Sequence, residues 1–269
     1  MGRGPALITS GAHAGPPGGG QSLPVDREPG RISAMFSGIA ARYDLMNRLM
    51  TLGMDGGWRR LAALEALVGD GGRALDACCG TGDLTLELGE LWPRASVVGL
   101  DFTEAMLEVA RRKAAASRPA GTRAQISFVR GDVLALPFSA GEFSAVTVGW
   151  GVRNVPDVPR AFAEMARVTR PGGRVVCLES TVAPPGAERL LQDVWMGAVV
   201  PRLGRVVSGD PSAYAYLPAS VEAFPRVGEL AAIMSEAGLT RVRYRRLGFG
   251  AVALHVGEVP GGPAASGAA

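Results

Sequence analysis

Histidine, cysteine and lysine are all scarce in this chain, and each shortage narrows its chemistry. Two histidines and three cysteines stand in 269 residues. No Cys-x-x-Cys pair and no histidine cluster offers zinc-ligand spacing, so no metal is expected. Cys78, Cys79 and Cys177 are too few for a disulfide framework, which points to a reducing compartment. Lys113 is the only lysine among 28 basic residues; a codon bias that also enriches alanine and glycine accounts for this, and no function is read into it. Long apolar runs are missing as well. The longest, Val194 to Val200, is closed by Pro201 and Arg202 and falls short of the ~18 residues that span a bilayer. The N-terminus has no apolar signal-peptide region, and Ala6 stands where a myristoylation signal wants Ser or Thr. A cytoplasmic protein is expected, with peripheral contact at the inner face of a membrane left open.

The net charge is only +3, although the isoelectric point is about 9.0. A nucleic-acid binder would show a dense basic stripe or a recognition motif. The best cluster here, Arg241, Arg243, Arg245 and Arg246, alternates with Val242 and Tyr244 as the solvent face of a strand does; contact with anionic lipid is its other reading. No nucleic-acid partner is expected. What is plentiful is core material: 47% hydrophobic residues, 20% charged and a mean hydropathy of +0.17 exclude wholesale disorder. The 38 glycines and 19 prolines are unevenly spread. Residues 1–30 and 258–269 show no helical or strand period and read as disordered tails, which leaves one domain over 31–257.

Within that domain, Ile32, Met35, Phe36, Ile39, Tyr43, Met46 and Leu49 recur at spacings of three and four, predicting one amphipathic helix from Ile32 to Leu49. With a second helix over Trp58–Leu67 it forms a helical cap, 31–70. From Arg73 strand and helix signals alternate. Strands read at Ala74–Cys78, Ser96–Leu100, Ile126–Val129, Ser144–Val148 and Arg174–Leu178, with helices at Asp83–Leu91, Glu104–Ala116 and Pro159–Thr169. Such alternation needs crossover connections, hence a parallel sheet with helices on both faces. After an insertion at 187–220 and a helix at Leu230–Ala237, Val242–Arg245 and Ala251–Val256 read as a hairpin. The expected fold is α/β and Rossmann-like, with seven strands, mostly parallel, and a C-terminal antiparallel hairpin.

The most informative segment runs from a strand through Asp76-Ala77-Cys78-Cys79-Gly80-Thr81-Gly82-Asp83 into a helix. Glycines there let the backbone approach a ligand closely and point N–H groups at it. Phosphate, dinucleotide and nucleoside sites share this pattern. Two details discriminate. Thr85 stands where a dinucleotide loop carries its third glycine, and Asp76 and Asp83 flank the loop, where carboxylates would repel a pyrophosphate but welcome an ammonium and a sulfonium. Asp101 ends the second strand 19 residues past Gly82, placed to accept from ribose hydroxyls. Asp132-Val133 ends the third, where a carboxylate and a backbone N–H can read adenine. Each acid alone also reads as a helix N-cap. Together, Asp76, Gly80, Gly82, Asp101, Asp132 and Val133 describe a site for S-adenosylmethionine (SAM).

Further stretches carry a resemblance: Tyr43-Asp44-Leu45-Met46-Asn47, the glycine turn, Gly151-Val152-Arg153-Asn154, Arg170-Pro171-Gly172-Gly173, Asp210 with Tyr214-Ala215-Tyr216-Leu217, and Gly250-Ala251-Val252-Ala253-Leu254-His255. On these the chain resembles the ubiquinone/menaquinone biosynthesis C-methyltransferase family from about Met35 to Gly257. The Pro-Gly-Gly turn is common to many methyltransferases; the tyrosine and Arg-Asn signals are more specific. The resemblance implies methyl transfer from SAM to a ring carbon of a prenylated quinol, with cofactor contacts at Thr81, Asp101 and Asp132-Val133. Members often carry Ser-Phe-Gly where this chain has Gly149-Trp150-Gly151, so a serine contact is missing. The vicinal Cys78-Cys79 leans toward the menaquinone-making branch.

SAM's methyl is already activated, so the remaining task is to align a nucleophilic ring carbon and move a proton. A quinol becomes such a nucleophile when a hydroxyl is deprotonated, whereas a quinone is electrophilic there; the quinol is the expected substrate. Candidates for handling the proton are Tyr43, Asp44, Arg153, Asp210 and His255. Arg153 follows strand four, where open α/β sheets place substrate, and its charge would stabilise a phenolate, unless it serves a structural ion pair. His255, in an apolar strand, reads equally as a satisfied core histidine, and Tyr43 as simple packing. Trp195, Met196, Val199, Val200, Leu203, Val206 and Val207 could line a prenyl channel or pack an inserted helix. Rival readings are another small-molecule acceptor, a non-catalytic SAM-binding module and, against the missing glycine and the loop acids, an NAD-dependent dehydrogenase. A homo-oligomer stays open.

Overall fold

A computed structural model describes residues 27–116, 124–207 and 211–261. Seven strands lie among these residues: β1 Arg73–Ala77, β2 Ser96–Asp101, β3 Gln125–Arg130, β4 Phe143–Gly149, β5 Thr169–Ser180, β6 Thr240–Leu247 and β7 Val252–Glu258. They form one sheet in the order β3-β2-β1-β4-β5-β7-β6. The first five are parallel, and β7 runs antiparallel to both β5 and β6. The expected mostly parallel, Rossmann-like sheet with its antiparallel hairpin is therefore present.

Strand alternation divides the core in two. Leu75, Ala77, Val146 and Val148 face one side, where Phe162 and Met165 of α6 (Val158–Val168) and Leu230 and Met234 of α10 (Val227–Glu236) cover them. Ala74, Val97, Ala145 and Val176 face the other, under Ala62 and Ala63 of α3 (Asp55–Glu65) and Leu84 and Leu88 of α4 (Asp83–Leu91). The helix α5 (Glu104–Ala116) follows β2. Small residues are obligatory where β5 meets β4. A Cβ on Gly173 would lie 2.6 Å from the Ser144 carbonyl oxygen, so the Pro-Gly-Gly turn becomes an irregular start of β5 rather than a loop before it.

The cap departs from the predicted single helix. Chain runs as α1 (Pro29–Ile39), a tight 3-10 turn at Ala40–Arg42, then α2 (Tyr43–Met50). The break goes with a change of neighbours: α1 packs on α5 and touches α9 (Pro211–Glu222), whereas α2 packs on α8 (Val200–Val207). The α1 helix also begins inside the segment expected to be a tail. Pro29 takes the first turn, and the Glu28 carboxylate accepts the N–H groups of Gly30 (3.0 Å) and Arg31 (2.8 Å). At the other end, β7 extends through Glu258, and Val259 donates its N–H to Gly173. The remainder of both expected tails, 1–26 and 262–269, lies outside the described residues.

The insertion comprises α7 (Ala187–Val194), a π-helical turn (Trp195–Val199), α8 (Val200–Val207) and α9 (Pro211–Glu222). It joins the cap in a third apolar cluster, separate from the sheet's two faces: Ile39, Met46 and Val200 at its centre, with Phe36, Trp195 and Met196 around them. The indole N–H of Trp195 donates to the Met50 carbonyl (3.0 Å), fixing the two segments together as a roof.

Candidate cofactor and substrate site

Because β1 sits centrally between β2 and β4, its carboxyl end opens a crevice at the switch point of the strand order, the place where such sheets take ligands. The glycine turn lies there. Gly80 and Gly82 both hold positive φ (54° and 83°), and Gly82 caps α4. A Cβ on Gly82 would meet Ala110 at 3.0 Å, so this glycine permits close helix packing. A Cβ on Gly80 would meet nothing within 4 Å, because it would project into the crevice, a cleft of about 1050 Å³.

Four acids line that cleft, Asp76, Asp83, Asp101 and Asp132. Asp76 is buried, its two oxygens taking the hydroxyls of Thr85 (2.7 Å) and Thr147 (3.1 Å). Burial pushes its carboxyl up to about 7, against the pull of those two hydroxyls. Asp101 is tied from both sides: one oxygen accepts the Gly80 N–H (2.9 Å), the other the Thr103 N–H (2.8 Å) at the start of α5. It thus serves as a cap and as a prop of the glycine turn, and burial raises its carboxyl above the ordinary range. Asp132 accepts the Leu134 N–H (2.9 Å) beside buried Val133. Asp76, Gly80, Thr81, Asp101, Asp132 and Val133 all line the cleft. Cys78 and Cys79 line it too, and burial, with Asp101 and Asp76 nearby, holds both thiols well above their usual range, so neither is a ready nucleophile.

The roof is latched to this turn by charge. Thr81 donates its hydroxyl to Asp44 of α2, and Lys113 of α5 joins Asp44 (2.7 Å) to Asp83. Asp44 lines neither cavity and is occupied by Thr81 and Lys113; as a proton carrier it is corrected to a tie between roof and turn. The lone lysine, to which no function was ascribed, is the centre of that tie. Arg59 of α3 bonds Asp55 (2.6 Å), pairs with Asp83 (3.4 Å) and lies 5.1 Å over the Trp150 ring.

A second cavity, about 1530 Å³, lies under the roof. Met35, Met46, Met50, Trp58, Trp195 and Met196 give it an apolar wall. Phe36, Tyr43, Asn47, Arg59 and Trp150 line both cavities, so the two meet at a collar of aromatic and polar side chains. Two of the expected channel residues, Trp195 and Met196, line this space; Val200 and Leu203 pack within the roof instead. The side chains of Val206 and Val207 lie outside the described residues.

Arg153 reaches this second cavity from a short turn after β4. Its guanidinium donates to Glu179 (2.8 Å) and to the Trp150 carbonyl (2.6 Å), while its own N–H donates to the other Glu179 oxygen (3.2 Å). The Arg153 Nε is buried and has no partner. Arg153 is therefore a structural ion pair whose cation also lines the second cavity. Tyr43 stands at the collar, its phenol pushed up by burial and only partly drawn back by Arg153. Tyr216 donates its hydroxyl to Asn154 (3.1 Å).

His255 is not brought to the site. Its Nε2 lies 2.9 Å from the Val227 carbonyl, its ring packs on Tyr244 at 5.3 Å, and it lines neither cavity: Val252 at the start of β7 reaches the second cavity, whereas His255 sits opposite Cys177 in mid-strand. Burial lowers its pKa. The catalytic reading of His255 gives way to the core histidine. Asp210 lies outside the described residues. Sequence reasoning passed over Glu179, although one acid in the apolar run Val175-Val176-Cys177-Leu178-Glu179 was the available signal. It also passed over Arg59, which no local pattern distinguishes from Arg60.

The residues present fit SAM. Carboxylates flank the glycine turn, the Gly80 position leaves open space for a ligand, and Asp101 and Asp132 line the cleft at the ends of β2 and β3. Such a fold and site define a SAM-dependent methyltransferase. A solved SAM-dependent methyltransferase-like structure from Methanococcus maripaludis superposes with a TM-score of 0.58 at 18% identity, covering 86% of this chain and 96% of that one, which shows the shared fold. The ubiE/COQ5 methyltransferase family model matches residues 25–259, and the chain belongs to that family. It is similar to the demethylmenaquinone methyltransferase of Thermus thermophilus, 49% identical over 84% of this chain and 100% of that protein. The corresponding protein of Deinococcus radiodurans is 46% identical over 84% of this chain and 92% of its own length.

Proposed function

We propose that this methyltransferase acts on a ring carbon of a prenylated quinol, demethylmenaquinol foremost, in menaquinone biosynthesis. The observation that carries the reading is the collar: Tyr43, Asn47 and Trp150 are shared by the cofactor cleft and by a large apolar cavity whose wall holds one buried cation, Arg153. Bound SAM supplies a methyl group already activated by its positive sulfur. Asp101 would hold the ribose hydroxyls, Asp132 and the Val133 N–H the adenine, and the Gly80-Thr81-Gly82 turn with Asp76 the amino-acid end. Arg59, the cation at the collar, would face that end's carboxylate. Arg153 lines the apolar cavity, and its positive charge would stabilise the phenolate that makes the ring carbon nucleophilic. Tyr43 stays protonated near neutral pH, so it would orient an oxygen by donating to it rather than remove a proton.

A prenyl tail brings the protein to a membrane surface. Among the described residues no helix is long and apolar enough to cross a membrane. This supports a cytoplasmic enzyme making peripheral contact at the inner face. The test is transfer of labelled methyl from SAM to demethylmenaquinol and to a demethylated ubiquinol precursor, each offered reduced and oxidised. Methylation of the reduced naphthoquinol is expected. A preference for the benzoquinol would move the protein to ubiquinone synthesis, and no transfer to either quinol would overturn the reading.

A further inference from the structure

The mouth of the apolar cavity is edged by side chains that folding leaves in water. Leu52 is 70% exposed and Phe249 69%, and Met54 and Leu191 complete the edge. Leu52 and Phe249 both hold left-handed backbone (φ 53° in each), an arrangement that costs energy for a side chain with a Cβ and that presents each at the tip of a turn.

The apolar surface continues away from the mouth on two helices. On α2, Leu45 and Leu49 share a face with Leu52, opposite Tyr43, Met46 and Met50, which point into the roof. On α7 no residue is buried, and Leu190, Leu191 and Val194 are all exposed. The Trp195–Met50 hydrogen bond ties the end of α2 to the residue that follows α7, and both residues line the cavity, so the two exposed stripes flank the opening. Contiguous exposed apolar surface of this kind marks an interaction site.

Charge selects the partner. Arg48 is exposed between Leu45 and Leu49, and the one acid on α2, Asp44, is turned away and held by Lys113 and Thr81. On α7, Arg189 is shared between Asp193 (2.8 Å) and Glu222 (2.7 Å), and Glu188 stands at the mouth itself, so the acids gather at the α7 edge and the exposed Arg48 lies at the α2 edge. An apolar face with a cation at its edge matches the boundary between acyl chains and anionic headgroups.

We infer that Leu45, Leu49, Leu52, Leu190, Val194 and Phe249 form a docking face that seats the cavity mouth on an anionic phospholipid bilayer. A lipid-soluble tail would then pass from the acyl region into the cavity without crossing water. The inference rests on the quinol reading and names its partner surface.

The experiment uses the full chain with vesicles of phosphatidylcholine containing phosphatidylglycerol, read by co-sedimentation. The wild type should partition onto them. The triple variant Leu49→Ser/Leu190→Ser/Val194→Ser, whose residues line neither cavity, should bind at least about tenfold more weakly, and Arg48→Glu should weaken binding too. Both should keep wild-type unfolding midpoints and wild-type turnover of a tailless, water-soluble demethylnaphthoquinol. Wild-type protein that stays in the supernatant, or a triple variant that binds as well as wild type, overturns the docking face. So does a wild-type dimer that the triple variant converts to monomer without any vesicle binding, since a second copy would then be the partner. Failure of the wild type to methylate the tailless quinol counts against the quinol reading alone, because vesicle binding is read without it.

Discussion

Replacing Asp76 with asparagine separates the charge of this side chain from its shape. Asp76 is 1% exposed, and each of its oxygens accepts one threonine hydroxyl. Burial lifts its carboxyl from the ordinary 3.8 to about 7. The sign follows from proton counting: between these values the folded chain holds a proton that the unfolded chain has released, so stability falls as pH rises through that window and levels off above it. The gap corresponds to ~4 kcal/mol lost across the window, as an upper bound. Asp76→Asn does not titrate. It keeps one acceptor and must rearrange one threonine contact, a pH-independent cost of about 1 kcal/mol. Urea unfolding of the cofactor-free wild type and variant, at steps from about pH 4 to about pH 8, isolates the group because every other titration cancels in the difference. Asp76→Asn should gain on wild type steadily up to about pH 7 and then hold level. A difference that stays constant across the window would refute the claim that a desolvated carboxylate sits beneath the cofactor turn. The same charge gives a binding corollary: affinity for the cationic cofactor should rise with pH through about 7 in the wild type and stay flat in the variant.

Three further outcomes follow from the site. Gly80→Ala puts a methyl into the open cleft at φ 54°, at a backbone cost of about 1–2 kcal/mol; calorimetry should show SAM binding weakened at least about tenfold (~1.4 kcal/mol), and an unchanged Kd would mean the ligand lies elsewhere. Glu179→Ala strands a buried guanidinium and should cost about 3–5 kcal/mol in denaturant titration; adding Arg153→Met should restore most of the stability while turnover stays lost, and recovery of turnover would remove Arg153 from the reaction. Arg59→Met should erase the preference of the protein for SAM over decarboxylated SAM in equilibrium binding, a preference that persists if Arg59 does not meet the carboxylate.

The sheet was legible because its signals are local and repeated. Short apolar runs, each ended by a turn, place the first five strands within a few residues, and Asp76, Asp101 and Asp132 could be expected at the cleft they line because a strand end is a fixed point in a Rossmann-like fold. What stayed hidden depends on contacts distant in sequence. The apolar spacing of Ile32 to Leu49 runs unbroken through Ala40–Arg42, yet the helix breaks there, where its main neighbour changes from α5 to α8. Glu179 owes its role to Arg153, 26 residues earlier, and Lys113 owes its role to an aspartate 69 residues away. His255 was open to two readings because burial, which the sequence implied, does not say which side of the sheet holds the ligand.

The sheet order also bears on how the chain is made. β7, the last strand among the described residues, lies between β5 and β6 and hydrogen-bonds to both. During synthesis β6 emerges with no neighbour to join, and β5 presents a bare edge until the final strand arrives. Up to that moment the cofactor turn, built wholly from earlier segments, has every element it needs, whereas the β5 edge can recruit another nascent chain. The window for aggregation therefore closes only when residues 252–258 leave the ribosome. A tag or truncation that slows or removes that strand should be far more damaging to yield than one at the opposite edge of the sheet.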